Sequence, residues 1–134
     1  MPFAQRQYQP DLAPVPPVIA LLRVLAPACR AKARLDLFQA CAMLSGDRNQ
    51  AAQGFADALL RTLEQGLGRV PVLHRAGSVE MSFDECWLAA LFAADARGDV
   101  DSFTFLTRAR LNRVAVRQIG FLVASLSRRM AQVA

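Results

Sequence analysis

The chain has 134 residues, 54% of them hydrophobic, and a mean hydropathy of +0.22, which excludes the intrinsically disordered class and is enough for one hydrophobic core. No uncharged apolar run approaches the ~18 residues that a membrane-spanning helix requires, so we predict no contact with a membrane. The net charge of +5 divides into +4 over residues 1–78, −5 over residues 79–107 and +6 over residues 108–134, so part of the basic charge can be neutralised inside the fold.

The first seventeen residues contain five prolines and are predicted to form an extended arm. A single helical domain is predicted to follow over residues 18–134. Pro17 suits the first turn of a helix, and Pro27 is expected to end or kink that helix. Between the two prolines, apolar residues recur at helical spacing, namely Val18, Leu21, Leu22 and Leu25.

Two more helical patterns occupy the middle of the chain. The first resumes at Ala28 and stops at Ser45 and Gly46, and Asp47 is a suitable N-cap for the second. The second pattern repeats apolar residues at helical intervals, at Ala52, Phe55, Leu59, Leu63 and Leu67. Gly66 and Gly68 are expected to end it.

Residues 69–81 break the helical pattern and are predicted to form an irregular loop or one small hairpin. Ser82 to Glu85 is a capping box that begins the next helix, and Gly98 is expected to end that helix. Its buried face is expected to consist of Trp87, Leu88, Leu91 and Phe92.

Asp101 or Ser102 is expected to cap a helix that carries Phe103 and Phe105. A last helix reaches about Met130, and it is either continuous with that helix or restarts at Asn112. These patterns predict an all-α fold, a single compact bundle of five or six helices with a proline-rich arm and one irregular segment.

The last helix carries the candidate partner-binding residues. One side is apolar, with Val116, Ile119, Leu122, Val123, Leu126 and Met130, whereas Arg117 and Arg128 lie on the other. If the helix extends back to residue 108, Arg110 and Arg113 join them, with Phe121 between the arginines. An aromatic ring flanked by arginines is typical of a surface that binds protein or nucleic acid. The alternative is that the arginines are solvated or paired within the fold and that the arm covers Phe121.

These observations predict a small non-enzymatic protein that acts through protein–protein interaction or self-association. A regulatory role is compatible with them. The alternative is a small nucleic-acid-binding regulator that uses the arginine-striped C-terminal helix, helped by Arg30, Lys32 and Arg34. In a helix-turn-helix reading of residues 102–130, Leu111 and Asn112 form the turn, although the usual glycine is missing. An enzyme whose site is assembled from residues remote in sequence is the third possibility.

The sequence contains no recognisable catalytic, cofactor-binding or metal-binding motif, and we predict no small-molecule ligand. His74 has no acidic neighbour in sequence, and Asp84 and Glu85 are explained by their place in the first turn of a helix. The large aromatic residues are expected to fill the core rather than line a pocket. The three cysteines, Cys29, Cys41 and Cys86, lack zinc-site spacing and are expected to be reduced, buried thiols of a cytoplasmic protein.

Overall fold

The computed structural model describes residues 14–31 and 48–133, and within these ranges it contains five helices and no strand. The helices are α1 (Pro17–Ala31), α2 (Arg48–Leu67), α3 (Phe83–Ala96), α4 (Val100–Arg110) and α5 (Arg113–Val133). The prediction of a compact all-α bundle is confirmed. Residues 69–81 form the irregular loop and not the hairpin.

Helix α1 begins where the proline pattern predicts. Residues 14–16 are irregular and Pro17 is the first residue of α1, whereas Pro27 lies inside the helix and does not end it. The rest of the predicted arm lies outside the described residues, as does most of the helix predicted after Ala28. The same holds for the predicted N-cap, Asp47.

Helices α2 and α5 make the most extensive helix–helix contact and form the centre of the core. Leu59 and Leu63 of α2 and Ile119 of α5 are fully buried there. The end of α2 approaches the start of α5 so closely that a Cβ atom on Gly66 would lie 2.5 Å from the Cβ atom of Ala115. Only glycine permits this crossing, which fixes the position of α5 relative to α2.

Helices α3 and α4 pack against each other, and contacts between residues close in sequence determine where each helix begins. Ser82 caps α3 with the complete capping box, as predicted. The cap of α4 is Asp99, whose carboxylate accepts from the Ser102 N–H group at 3.1 Å, and not Asp101 or Ser102. Gly98 makes the turn between the helices possible with a φ of +70°.

A break between α4 and α5 decides where the C-terminal arginines lie. Leu111 is extended, with φ −105° and ψ 151°, so α4 ends at Arg110. The side chain of Asn112 then accepts from the Ala115 N–H group at 2.9 Å and begins α5. Of the two alternatives for the last helix, the structure shows the restart at Asn112, and Arg110 and Arg113 belong to different helices.

Candidate functional site on the outer face of α5

Four exposed residues of α5 lie on the side opposite its buried apolar residues. They are Arg113, Arg117, Phe121 and Arg128, which we call the arginine ridge. The core side of the same helix consists of Ala115, Ile119, Leu122, Val123 and Leu126, all buried. The amphipathic pattern predicted for this helix is therefore confirmed, and it leaves these arginines in solvent.

Phe121 gives the ridge a fixed apolar element. The residue is 61% exposed, yet its ring contacts the ring of Phe55 on α2 edge-on, with centroids 6.0 Å apart and an interplanar angle of 62°. Phe55 is itself buried, and the guanidinium of Arg129 lies 5.6 Å from its ring centroid. Phe121 is thus supported on one edge and open on its other side.

The arginines of the ridge carry charge that the neighbouring residues do not neutralise. Helix α5 contains no Asp or Glu. Within the described ranges, Arg113, Arg117 and Arg128 make no ion pair with a carboxylate. Their planar guanidinium groups are therefore available to carboxylates or phosphates of another molecule.

Arg110 belongs to a different environment from the other candidate residues. Its Nη2 atom donates to Asp84 Oδ1 at 2.6 Å, and its guanidinium lies over the rings of Trp87, at 4.8 Å, and Phe83, at 5.0 Å. Arg69 donates to the same carboxylate at 2.8 and 3.0 Å. Arg110 was predicted to lie with the arginines of the ridge if α4 and α5 formed one continuous helix. The break at Leu111 places Arg110 on a different face.

Glu85, next to Asp84, is the acceptor of a buried ion pair. Arg23 of α1 donates to both of its carboxylate oxygens, at 2.7 and 3.0 Å, and both side chains are at most 2% exposed. The backbone N–H groups of Ser82 and His74 donate to the same carboxylate. Arg23 also donates to the carbonyl oxygens of Ser78 and Glu80, so the pair joins α1, the loop and α3.

These contacts determine the ionisation of the two carboxyl groups. The hydrogen bonds from Arg69 hold the pKa of Asp84 far below its usual range against the opposing effect of burial, helped by the Val72 N–H group and Arg110. Burial favours a raised pKa for Glu85, but the hydrogen bonds from Arg23 and from two backbone N–H groups outweigh it and lower that pKa. Both groups are therefore anionic at neutral pH and bind donors of the chain itself.

His74 lies beside this cluster, in a position that its sequence neighbours did not indicate. Its Nδ1–H group donates to the Glu80 carbonyl oxygen at 2.8 Å, and Nδ1 is 3.8 Å from Glu85 Oε1. The sequence did contain a signal for the buried ion pair beside His74. Arg23 follows Ile19 by one turn on the buried side of α1, and a buried guanidinium requires a buried anion. Glu85 has the matching position, one turn before Leu88 on the buried side of α3.

The remaining candidate features have structural explanations or are exposed. Trp87 and Phe92 are buried in the core as predicted, and the Trp87 Nε1–H group donates to the Leu106 carbonyl oxygen at 3.0 Å. Phe105 is 72% exposed, so the expectation that it belongs to the core is wrong. The Cys86 thiol is free but exposed, which corrects its predicted burial.

In the part of the chain that the structure describes, no group of three or more His, Cys, Asp or Glu residues could hold a metal ion. No helix there is both long and apolar enough to cross a membrane. Comparisons with protein-family models, with curated proteins and with solved structures find no match to this chain.

Proposed function

We propose that this chain is a small non-enzymatic protein that binds another protein through the arginine ridge of α5. The observation that carries the proposal is the exposed ring of Phe121, supported by Phe55 and flanked by arginines that have no carboxylate partner among the described residues. Aromatic residues and arginine are the types enriched where proteins bind one another.

The position of Arg113 supports a role outside the fold. It is the first residue of α5, where the helix dipole makes a positive side chain unfavourable. Arg113 therefore does not stabilise the helix that carries it, and contact with an anionic partner would explain its presence.

The dimensions of the ridge define the partner. The rise of an α-helix places the Cα atoms of Arg113 and Arg128 about 22 Å apart, which matches about four turns of a second helix. We propose a helical partner that presents Asp or Glu side chains around an apolar residue facing Phe121. The charges then provide orientation and association rate, whereas burial of the Phe121 ring slows dissociation.

The test is affinity capture of partners from a nuclease-treated extract of the source cells, with the purified full chain as bait. We expect at least one protein to be retained by the wild-type chain and lost with both Arg117→Ser and Phe121→Ser. The matched controls are Arg75→Ser and Phe83→Ser, which change exposed residues of the same types away from the ridge. A retained set that is the same for all variants would contradict the proposal.

Nucleic-acid binding is the second candidate function. Two observations favour it. Helix α5 contains no Asp or Glu, and Arg113, Arg117 and Gln118 are exposed near the N-terminal end of α5. A recognition helix contacts bases with the residues at that end. Binding to mixed-sequence DNA should then weaken steeply with salt, and replacing Arg113 and Arg117 with alanine should flatten that dependence. A gel that shows no mobility shift at low salt would eliminate this candidate.

We also propose a cytoplasmic location. The odd number of cysteines and the free thiol of Cys86 are typical of a reducing compartment. Fractionation of cells that express a tagged chain tests this, and recovery outside the cytoplasm would contradict it.

A further inference from the structure

The outer face of α4 carries an exposed aromatic residue for which the fold gives no reason. Phe105 is 72% exposed and Val100, at the start of the same helix, is 71% exposed. Shallow depressions flank Phe105 on both sides. One is lined by Ala90, Arg97, Asp101, Ser102 and Leu106, and the other by Asp101, Thr104, Arg108 and Ala109.

Two opposite charges lie on the same side of the helix as Phe105. Asp101 is in the first turn of α4 and Arg108 in the last, and seven residues of helix place them within about 20° of each other around the axis. Both are exposed, and neither has an ion-pair partner in the described ranges. The helix dipole accounts for the order of the charges but not for the exposed ring beside them.

We propose that this face binds a second copy of the chain, with the two α4 helices antiparallel about a twofold axis. When the axis passes between Thr104 and Phe105, Asp101 lies opposite Arg108 of the second copy, and the symmetry repeats this ion pair. Val100 then lies level with Ala109 of the second copy, at the edge of the contact. Each Phe105 ring enters the depression that Thr104, Arg108 and Ala109 line in the other copy.

The charge pattern is what selects a second copy as the occupant. A helix with an acid near one end and a base near the other, equally far from the twofold axis, is complementary to itself when it runs antiparallel. A parallel arrangement would place like charges together. The surface lies on α4, not on the arginine ridge, so the proposal does not depend on the proposed function.

The size of the helix sets the expected strength of the dimer. With 11 residues, α4 is about 16 Å long, so the contact falls below the area of a standard stable interface. We expect a reversible dimer that sedimentation velocity detects in the full chain between about 10 µM and about 1 mM.

Charge reversal tests the geometry. Asp101→Arg or Arg108→Asp alone places like charges together at both ends of the interface and should weaken dimerisation at least about tenfold. A mixture of these two single variants restores both ion pairs and should form a heterodimer of about wild-type affinity. An antiparallel pairing of the two α4 helices predicts this rescue, whereas a dimer formed through another surface does not.

Phe105→Lys is the variant that leaves the helix ends unchanged, and it should abolish the dimer while the circular dichroism spectrum stays helical. Val79→Lys, at another exposed apolar position, is the matched control and should dimerise like the wild type. A wild-type chain that remains monomeric at about 1 mM would overturn the proposal. A dimer that is insensitive to Phe105→Lys, or single variants that fail to pair when mixed although both are folded, would do the same.

Discussion

The start of α3 and the outer face of α5 both gather arginines, yet they use them in opposite ways. At α3, Asp84 and Glu85 bind the guanidinium groups of Arg23, Arg69 and Arg110 and connect three parts of the chain. On α5 the arginines of the ridge meet no carboxylate in the described residues. Arginines gather in both regions, so the presence of a buried anion, and not the number of arginines, decides which of them stabilise the fold.

The largest effect that this comparison predicts is that of Glu85→Ala. The substitution leaves the guanidinium of Arg23 buried without its anion and should lower the free energy of unfolding by about 3–5 kcal/mol. Urea denaturation followed by circular dichroism measures the loss. Glu64→Ala, at an exposed position, is the control and should change stability by less than about 0.5 kcal/mol. Equal effects of the two substitutions would show that the buried pair is not important for stability.

Asp84→Asn should have an intermediate effect, a loss of about 2 kcal/mol, because hydrogen bonds to a charged acceptor are weakened while the side chain keeps its shape. Arg69 contributes most to the lowered pKa of Asp84, but its side chain is 50% exposed and that of Arg110 only 18%, so water can replace the Arg69 contacts and most of the loss should come from Arg110. A double-mutant cycle with Arg110→Ala measures that share. A coupling energy near zero would contradict the structural role assigned to Arg110.

The pH dependence of stability distinguishes the two regions further. The folded chain holds the pKa values of Asp84 and Glu85 below those of the unfolded chain, so the unfolded chain binds protons first as the pH falls. The stabilisation is therefore complete above about pH 5 and is lost progressively below about pH 4. Urea midpoints should fall over that range for the wild type and less steeply for Asp84→Asn. A parallel decline of both proteins would contradict the assignment.

The sequence predicted most of the described helices, and some of their ends, because those depend on residues close together in the chain. The capping box at Ser82 and the buried stripe of α5 follow from spacings of a few residues, whereas the restart at Asn112 was one of two alternatives that the sequence allowed. The ion pair of Arg23 with Glu85 joins residues 62 positions apart, and no local pattern contains it. Arg110 was misplaced for a related reason, since the course of the chain at Leu111 depends on tertiary packing.

The smallest effects should come from the arginine ridge. Arg117→Ser removes an exposed side chain that no described carboxylate binds, so the free energy of unfolding should change by less than about 0.5 kcal/mol. Arg113→Ser should even stabilise the chain slightly, by about 0.3 kcal/mol, because it removes a positive charge from the N-terminal end of α5.

Phe121→Ser should cost about 1 kcal/mol, because it removes the edge contact with Phe55 but creates no cavity in the core. Thermal and urea unfolding of the three ridge variants measures these changes against Glu85→Ala. A loss of several kcal/mol in Arg117→Ser would show that the ridge stabilises the fold in the same way as the α3 cluster. Unchanged stability, together with loss of a bound partner, instead separates binding from folding, because a residue that does not stabilise the free chain can affect the complex only through its own contacts.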